Sequence, residues 1–147
     1  MLAAAGLNRL GLADRATALL EPHEMLPAVG QGAIGIERRA GDDRVAGWLA
    51  RIHCRETGLR VAAERARLEV LDGSCRTPIG GLATIRAEGP DGPRLALDGL
   101  VAAPDGRRVV ARRAEGPADD ARRLGREVGD AIAAGAGAEM MTEIRRP

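Results

Sequence analysis

The stretch LDGSCRTPIG, running from Leu71 to Gly80, sets a thiol, Cys75, between a small polar run and a proline-stiffened exit. Free cysteines usually behave as small buried hydrophobes. This one lies in a segment with loop chemistry, where Gly73 gives backbone freedom and Pro78 restricts the way out. The local electrostatics are divided: the end of a preceding helix disfavours a thiolate, and Arg76 favours one. On these grounds alone, an ordinary loop thiol and a site of covalent attachment are equal readings of Cys75.

Other residues invite chemistry less strongly. Gly30-Gln31-Gly32-Ala33-Ile34-Gly35 fits G-x-G-x-x-G, but a dinucleotide fingerprint needs a strand before it and a helix opening on it. Pro27 breaks the approach, and Ile36-Glu37-Arg38 shows no helical face. A glycine-rich crossing between elements is the better reading. His23, His53 and Cys54 do not make a metal centre, because adjacent residues on a helix face different ways and zinc needs three or four convergent ligands. Every base in the chain is arginine, and arginine binds carboxylates through two parallel hydrogen bonds. Arg9, Arg38, Arg39, Arg76, Arg107 and Arg108 could therefore serve an acidic ligand, although spacing alone does not say which converge.

These residues need elements to position them. Between Met1 and Leu20, leucines separated by alanines and interrupted by Gly6 and Gly11 predict two short helices. Ala33–Glu37 reads as a strand. Asp42 and Asp43 look like a cap and a first-turn acid, and Val45, Trp48, Leu49 and Ile52 follow on one helical face. A second helix is predicted over Glu56–Leu71, with Leu59, Ala62, Ala63, Ala66 and Val70 on its apolar face. The period then changes to two. Ile79–Glu88, Arg94–Val101 and Arg107–Ala114 read as strands of an antiparallel meander, turned at Asp91-Gly92 and Asp105-Gly106. Pro117 fits the first position of a last helix with an Ala121, Leu124, Val128, Ile132 stripe, stopped at Gly135 and Gly137, with a last helical turn or two to follow over Ala138–Arg145. The fold class is α+β.

Composition bounds the rest. The 147 residues carry 22 basic and 21 acidic side chains, which argues against bulk nucleic-acid binding. Trp48 is the only aromatic residue, so the core must be built from Leu, Ile, Val and Ala; burial contributes about 25 cal/mol per Å², and each alanine adds little. Two cysteines make no disulfide framework. No signal-peptide pattern opens the chain, and no apolar run approaches the roughly 18 residues a membrane span needs. A cytoplasmic setting with no membrane partner is expected.

Four blocks in order and spacing, LAAAGLNRLG, LPAVGQGAIGIE, ETGLRVAAERA and LDGSCRTPIG, resemble the porphobilinogen deaminase (hydroxymethylbilane synthase) family. The resemblance implies that Cys75 forms a thioether to a dipyrromethane cofactor built from two porphobilinogen units. Four further porphobilinogens are joined to that primer with loss of ammonia, and hydroxymethylbilane is released. It also implies that Arg9 contacts cofactor or substrate and that Gln31 and Gly32 line the cleft. Only the latter half of the three-domain enzyme is matched. Residues 1–32 correspond to the end of the second domain and a crossing segment, 33–54 to a return segment toward the first domain, and 55–147 to the third domain. The first two parts would be incomplete α/β pieces ahead of a three-stranded antiparallel sheet packed with helices. The family's catalytic aspartate belongs to the N-terminal half, so no catalytic residue is expected here. The expected partners are porphobilinogen, the growing polypyrrole and that N-terminal half as a separate chain. The competing reading is a non-catalytic ligand or interaction module that retains the fold.

Overall fold

The computed structural model describes residues 2–72, 77–89 and 92–145. Its elements, in chain order, are α1 (Ala4–Arg9), α2 (Asp43–Ala50), α3 (Arg55–Leu71), β1 (Ile79–Gly89), β2 (Gly92–Ala102), β3 (Val109–Pro117) and α4 (Ala121–Arg145). A 3-10 turn at Ala13–Arg15 follows α1, and another at Ala118–Asp120 leads into α4. The two short N-terminal helices of the sequence reading are thus one helix and one 3-10 turn. Leu19 and Leu20 belong to neither and are exposed. Asp42 caps α2, its Oδ1 accepting from the Val45 N–H at 3.0 Å.

The sheet has the order β1-β2-β3 and is antiparallel throughout. Its register sets Gly81 opposite Gly99 and Leu97 opposite both Ala83 and Ala114. One face, with Ala83, Leu95, Leu97, Val101 and Val110, is covered by Leu71 of α3 and by Leu124, Val128 and Ile132 of α4. With no large aromatic residue to fill space, the layers close by approaching one another. Gly125 is the clearest case. A Cβ there would overlap the Ala63 carbonyl oxygen and lie 2.8 Å from the Ala66 Cβ, so α4 crosses α3 at backbone contact. The exposed Arg122–Glu69 pair, at 3.1 Å, spans the same two helices.

Three boundaries differ from the sequence reading. Ala33–Glu37 is not a strand: among the described residues it has no ladder partner, and its Ala33 N–H donates to the Gly30 carbonyl at 3.4 Å. A strand exists by pairing, and the β1 edge is already occupied upstream of this segment. β3 begins at Val109 because the Asp105-Gly106 turn closes through Arg108, whose carbonyl accepts from the Ala103 N–H at 2.8 Å. Pro117 ends β3 and caps the 3-10 turn instead of opening α4. In α4 the break is at Gly137 alone, with φ 77° and ψ 164°; Met140, Met141 and Ile144 beyond it still reach the core. The turn at Asp91 lies outside the described residues.

Candidate functional site

The segment Pro22–Gly32 wraps the free edge of β1. Pro22–Leu26 lie against the uncovered face of the sheet and, with Leu82, Thr84, Asp98, Leu100 and Arg113, line an open groove of about 770 Å³. At the edge, the Pro27 carbonyl accepts from the Gly81 N–H at 2.8 Å. Gly80 lets this happen, since a Cβ there would meet Leu26 at 3.0 Å. Three residues on, the Gly30 N–H donates to Glu64 Oε2 of α3 at 2.7 Å. The other oxygen of that carboxylate, Oε1, accepts from the Ala83 N–H of β1 at 2.8 Å. The edge amides of Gly81 and Ala83, which an edge strand would otherwise leave open, are both satisfied.

Beside Glu64 a second charge is buried. Arg67 is 0% exposed and its guanidinium occupies the gap left by the facing pair Gly81 and Gly99. A Cβ on Gly81 would come within 2.7 Å of Arg67 Cζ, and one on Gly99 within 2.8 Å of its Cδ. Nη1 reaches the Leu100 carbonyl at 3.4 Å, whereas Nε and Nη2 have no hydrogen-bond partner among the described residues. Burial pushes the guanidinium down to about 10, partly offset by Glu64, and leaves it charged at neutral pH.

Cys75 lies outside the described residues, and so does Arg76. The flanks of their loop are fixed. Asp72 ends α3 in the left-handed conformation at φ 52°, and Pro78 accepts from the Ala102 N–H at 2.9 Å. Ile79 pairs with Val101, and Val101 with Val110, so the start of β1 and the turn bearing Arg107 and Arg108 share one end of the sheet. Arg108 Nη2 donates to the Gly135 carbonyl at 2.9 Å. Arg107 is almost fully exposed beside Asp105 at 3.6 Å.

Cys54 stands at the N-cap of α3, the other end of a 17-residue helix about 25 Å long at 1.5 Å per residue. Its Sγ accepts from the Thr57 hydroxyl at 3.2 Å, and that contact lowers its thiol below the ordinary range. Gln31 and Gly32 are exposed just past the Gly30–Glu64 contact. Arg9 is exposed at the end of α1, which packs on the Ala13–Arg15 turn. Arg38 donates to the Arg39 and Asp42 carbonyls. Of the arginines singled out in the sequence, Arg107 and Arg108 are placed at the end of the sheet where β1 begins; Arg9, Arg38 and Arg39 are not. Among the described residues no group of three His, Cys, Asp or Glu converges, and no helix is long and apolar enough to cross a membrane.

Sequence reasoning passed over Glu64 and Arg67. The signal was present for Arg67: with Ala63, Val70 and Leu71 it follows the i, i+4, i+7, i+8 rule of a buried helical stripe.

The chain matches the family model described as porphobilinogen deaminase, dipyromethane cofactor binding domain, over residues 1–47. It matches porphobilinogen deaminase, C-terminal domain, over residues 58–134. Similar curated proteins include the porphobilinogen deaminase of Paracoccus denitrificans, 50% identical over 131 residues that make up 89% of this chain and 40% of the relative. That of Nitrobacter hamburgensis is 46% identical over 142 residues, 97% of this chain and 43% of the relative. That of Paraburkholderia phymatum is 50% identical over 137 residues, 91% of this chain and 40% of the relative. The chain thus spans well under half the length of the curated relatives it matches.

Proposed function

Because the chain belongs to the porphobilinogen deaminase family, we propose that it is the cofactor-carrying part of a hydroxymethylbilane synthase and that Cys75 is its attachment residue. The observation that carries this reading is the order of the two family matches, with Cys75 inside the range of the C-terminal domain. The surroundings fit a polycarboxylate pyrrole. Asp72 and Pro78, which flank the Cys75 segment in sequence, are both placed, and Arg107 and Arg108 stand at the end of the sheet where β1 begins. When bound, the dipyrromethane supplies the primer on which four porphobilinogen units are joined with loss of ammonia before hydroxymethylbilane is released.

The protein's own residues hold and orient. Cys75 would hold the group through a thioether, its thiol proton leaving with the ammonia displaced from porphobilinogen, and that bond needs no thiolate afterwards. Arg9 pairs with pyrrole carboxylates, and Gln31 and Gly32 line the cleft. The domain assignment is the one the motifs imply: 1–32 ending the second domain, 33–54 returning toward the first, and 55–147 forming the third. The aspartate that stabilises positive charge on the pyrrole belongs to the family's N-terminal region, and the setting is the cytoplasm.

The test supplies that region from the Paracoccus denitrificans relative, together with porphobilinogen, and measures ammonia. The chain alone should release none. The supplemented, pyrrole-loaded protein should turn over, and Arg9→Leu should slow it by roughly 10- to 150-fold, the loss of one charge-assisted hydrogen bond. Turnover by the chain alone would overturn the proposed division of labour. A pyrrole-loaded, supplemented protein that stays silent would favour a non-catalytic module.

A further inference from the structure

Glu64 takes no part in the chemistry just described, yet its carboxylate is only 5% exposed and joins three segments. It projects from α3, accepts from Gly30 of the crossing segment at 2.7 Å and accepts from Ala83 of β1 at 2.8 Å. We propose that Glu64 is a positioning residue that latches the crossing segment to α3 and β1, fixing it up to Gly30, the point from which Gln31 and Gly32 continue. The functional meaning of the latch rests on the reading of Cys75, Gln31 and Gly32 given above; its geometry does not.

Three features support a latch over a passive buried acid. Each carboxylate oxygen serves one backbone donor, so the two segments are held by a single rigid group. A carboxylate is required: an amide has one acceptor oxygen and would turn an NH₂ toward the second N–H. The contacts also bracket the segment closely. Pro27 is bound to Gly81 and Gly30 to Glu64, while the next glycine, Gly32, has φ +76° and its surroundings are open. The chain is therefore fixed up to Gly30 and free to follow a ligand beyond it. Arg67, the opposite charge felt from Glu64, sits on the same helix and keeps the acid from being an isolated buried charge.

The measurement is site-resolved amide hydrogen exchange on the full chain, wild type and Glu64→Gln, with intact mass for pyrrole recorded on the same samples. In the wild type, the Gly30 N–H should be protected alongside Ala83, and the exposed Gln31 N–H should exchange fast. In Glu64→Gln, Gly30 or Ala83 should speed up by about 10- to 100-fold, as expected for losing a hydrogen bond to a charged group, with Leu97 and Val128 unchanged. A merely structural role would accelerate all of these amides together. Fast exchange of wild-type Gly30, equal acceleration everywhere, or no change in the variant would each overturn the latch. Because exchange does not depend on pyrrole, a failed latch and a failed Cys75 assignment give separate signatures.

Discussion

Residues 2–54 and residues 55–145 are similar in composition and opposite in packing. No described residue before Ala63 is buried. Of the eleven most exposed large apolar side chains, ten lie between Leu2 and Ile52; Val109 is the other. Past Ala63 the leucines, isoleucines and valines of β1–β3, α3 and α4 close one core. Leucine content does not separate the two regions. In the second, helices lie over a sheet and every apolar stripe meets another; in the first, α1 and α2 present stripes that nothing in the described chain covers. Val45 and Leu49 of α2 are half-buried, while Trp48 and Ile52 of the same stripe are exposed, with Arg44 stacked 4.8 Å over the indole. The crossing segment, held by Pro27 and Gly30, is the part of the first region tied into the second.

The contrast can be broken by making one chemical change in both regions. Gly125→Ala should have the largest effect. The new Cβ meets a backbone carbonyl and the Ala66 methyl, so α3 and α4 must separate, at a cost of about 3 kcal/mol read as a lower midpoint of denaturant unfolding. Gly47→Ala, in α2, should have the smallest. Nothing lies within 4 Å of the added methyl, and the helix gains about 0.5–1 kcal/mol of local propensity. Because α2 adds no buried residue to the core, the global midpoint should stay within about 0.5 kcal/mol of wild type. Comparable shifts for the two variants would show that both regions unfold as one unit and would remove the contrast.

Much of the second region was legible in the sequence because its signals are local. The change from helical to alternating period after Pro78, and the Asp105-Gly106 turn, gave the meander; the alanine-rich face of α3 gave its buried side. What escaped depends on partners distant in sequence. Ala33–Glu37 has strand composition, but no pattern within it says that the β1 edge is already taken by Pro27 and Glu64. The recess that holds Arg67 exists because Gly81 and Gly99 face each other, a matter of cross-strand register. The site was legible only through motif resemblance. Cys75 is chemically ambiguous on its own, and the arginines at the end of the sheet where β1 begins, Arg107 and Arg108, come from a turn that spacing did not single out from Arg38 and Arg39.

The attachment residue is tested most directly by intact mass and reaction with Ehrlich's reagent on Cys75→Ala and Cys54→Ala proteins, each exposed to porphobilinogen with the N-terminal region of a relative. Cys54 precedes α3 and Cys75 follows it in sequence, so the variants test two separate positions. Cys54→Ala should carry a dipyrromethane adduct as the wild type does, and Cys75→Ala should carry none. A covalent pyrrole retained by Cys75→Ala would contradict the assignment.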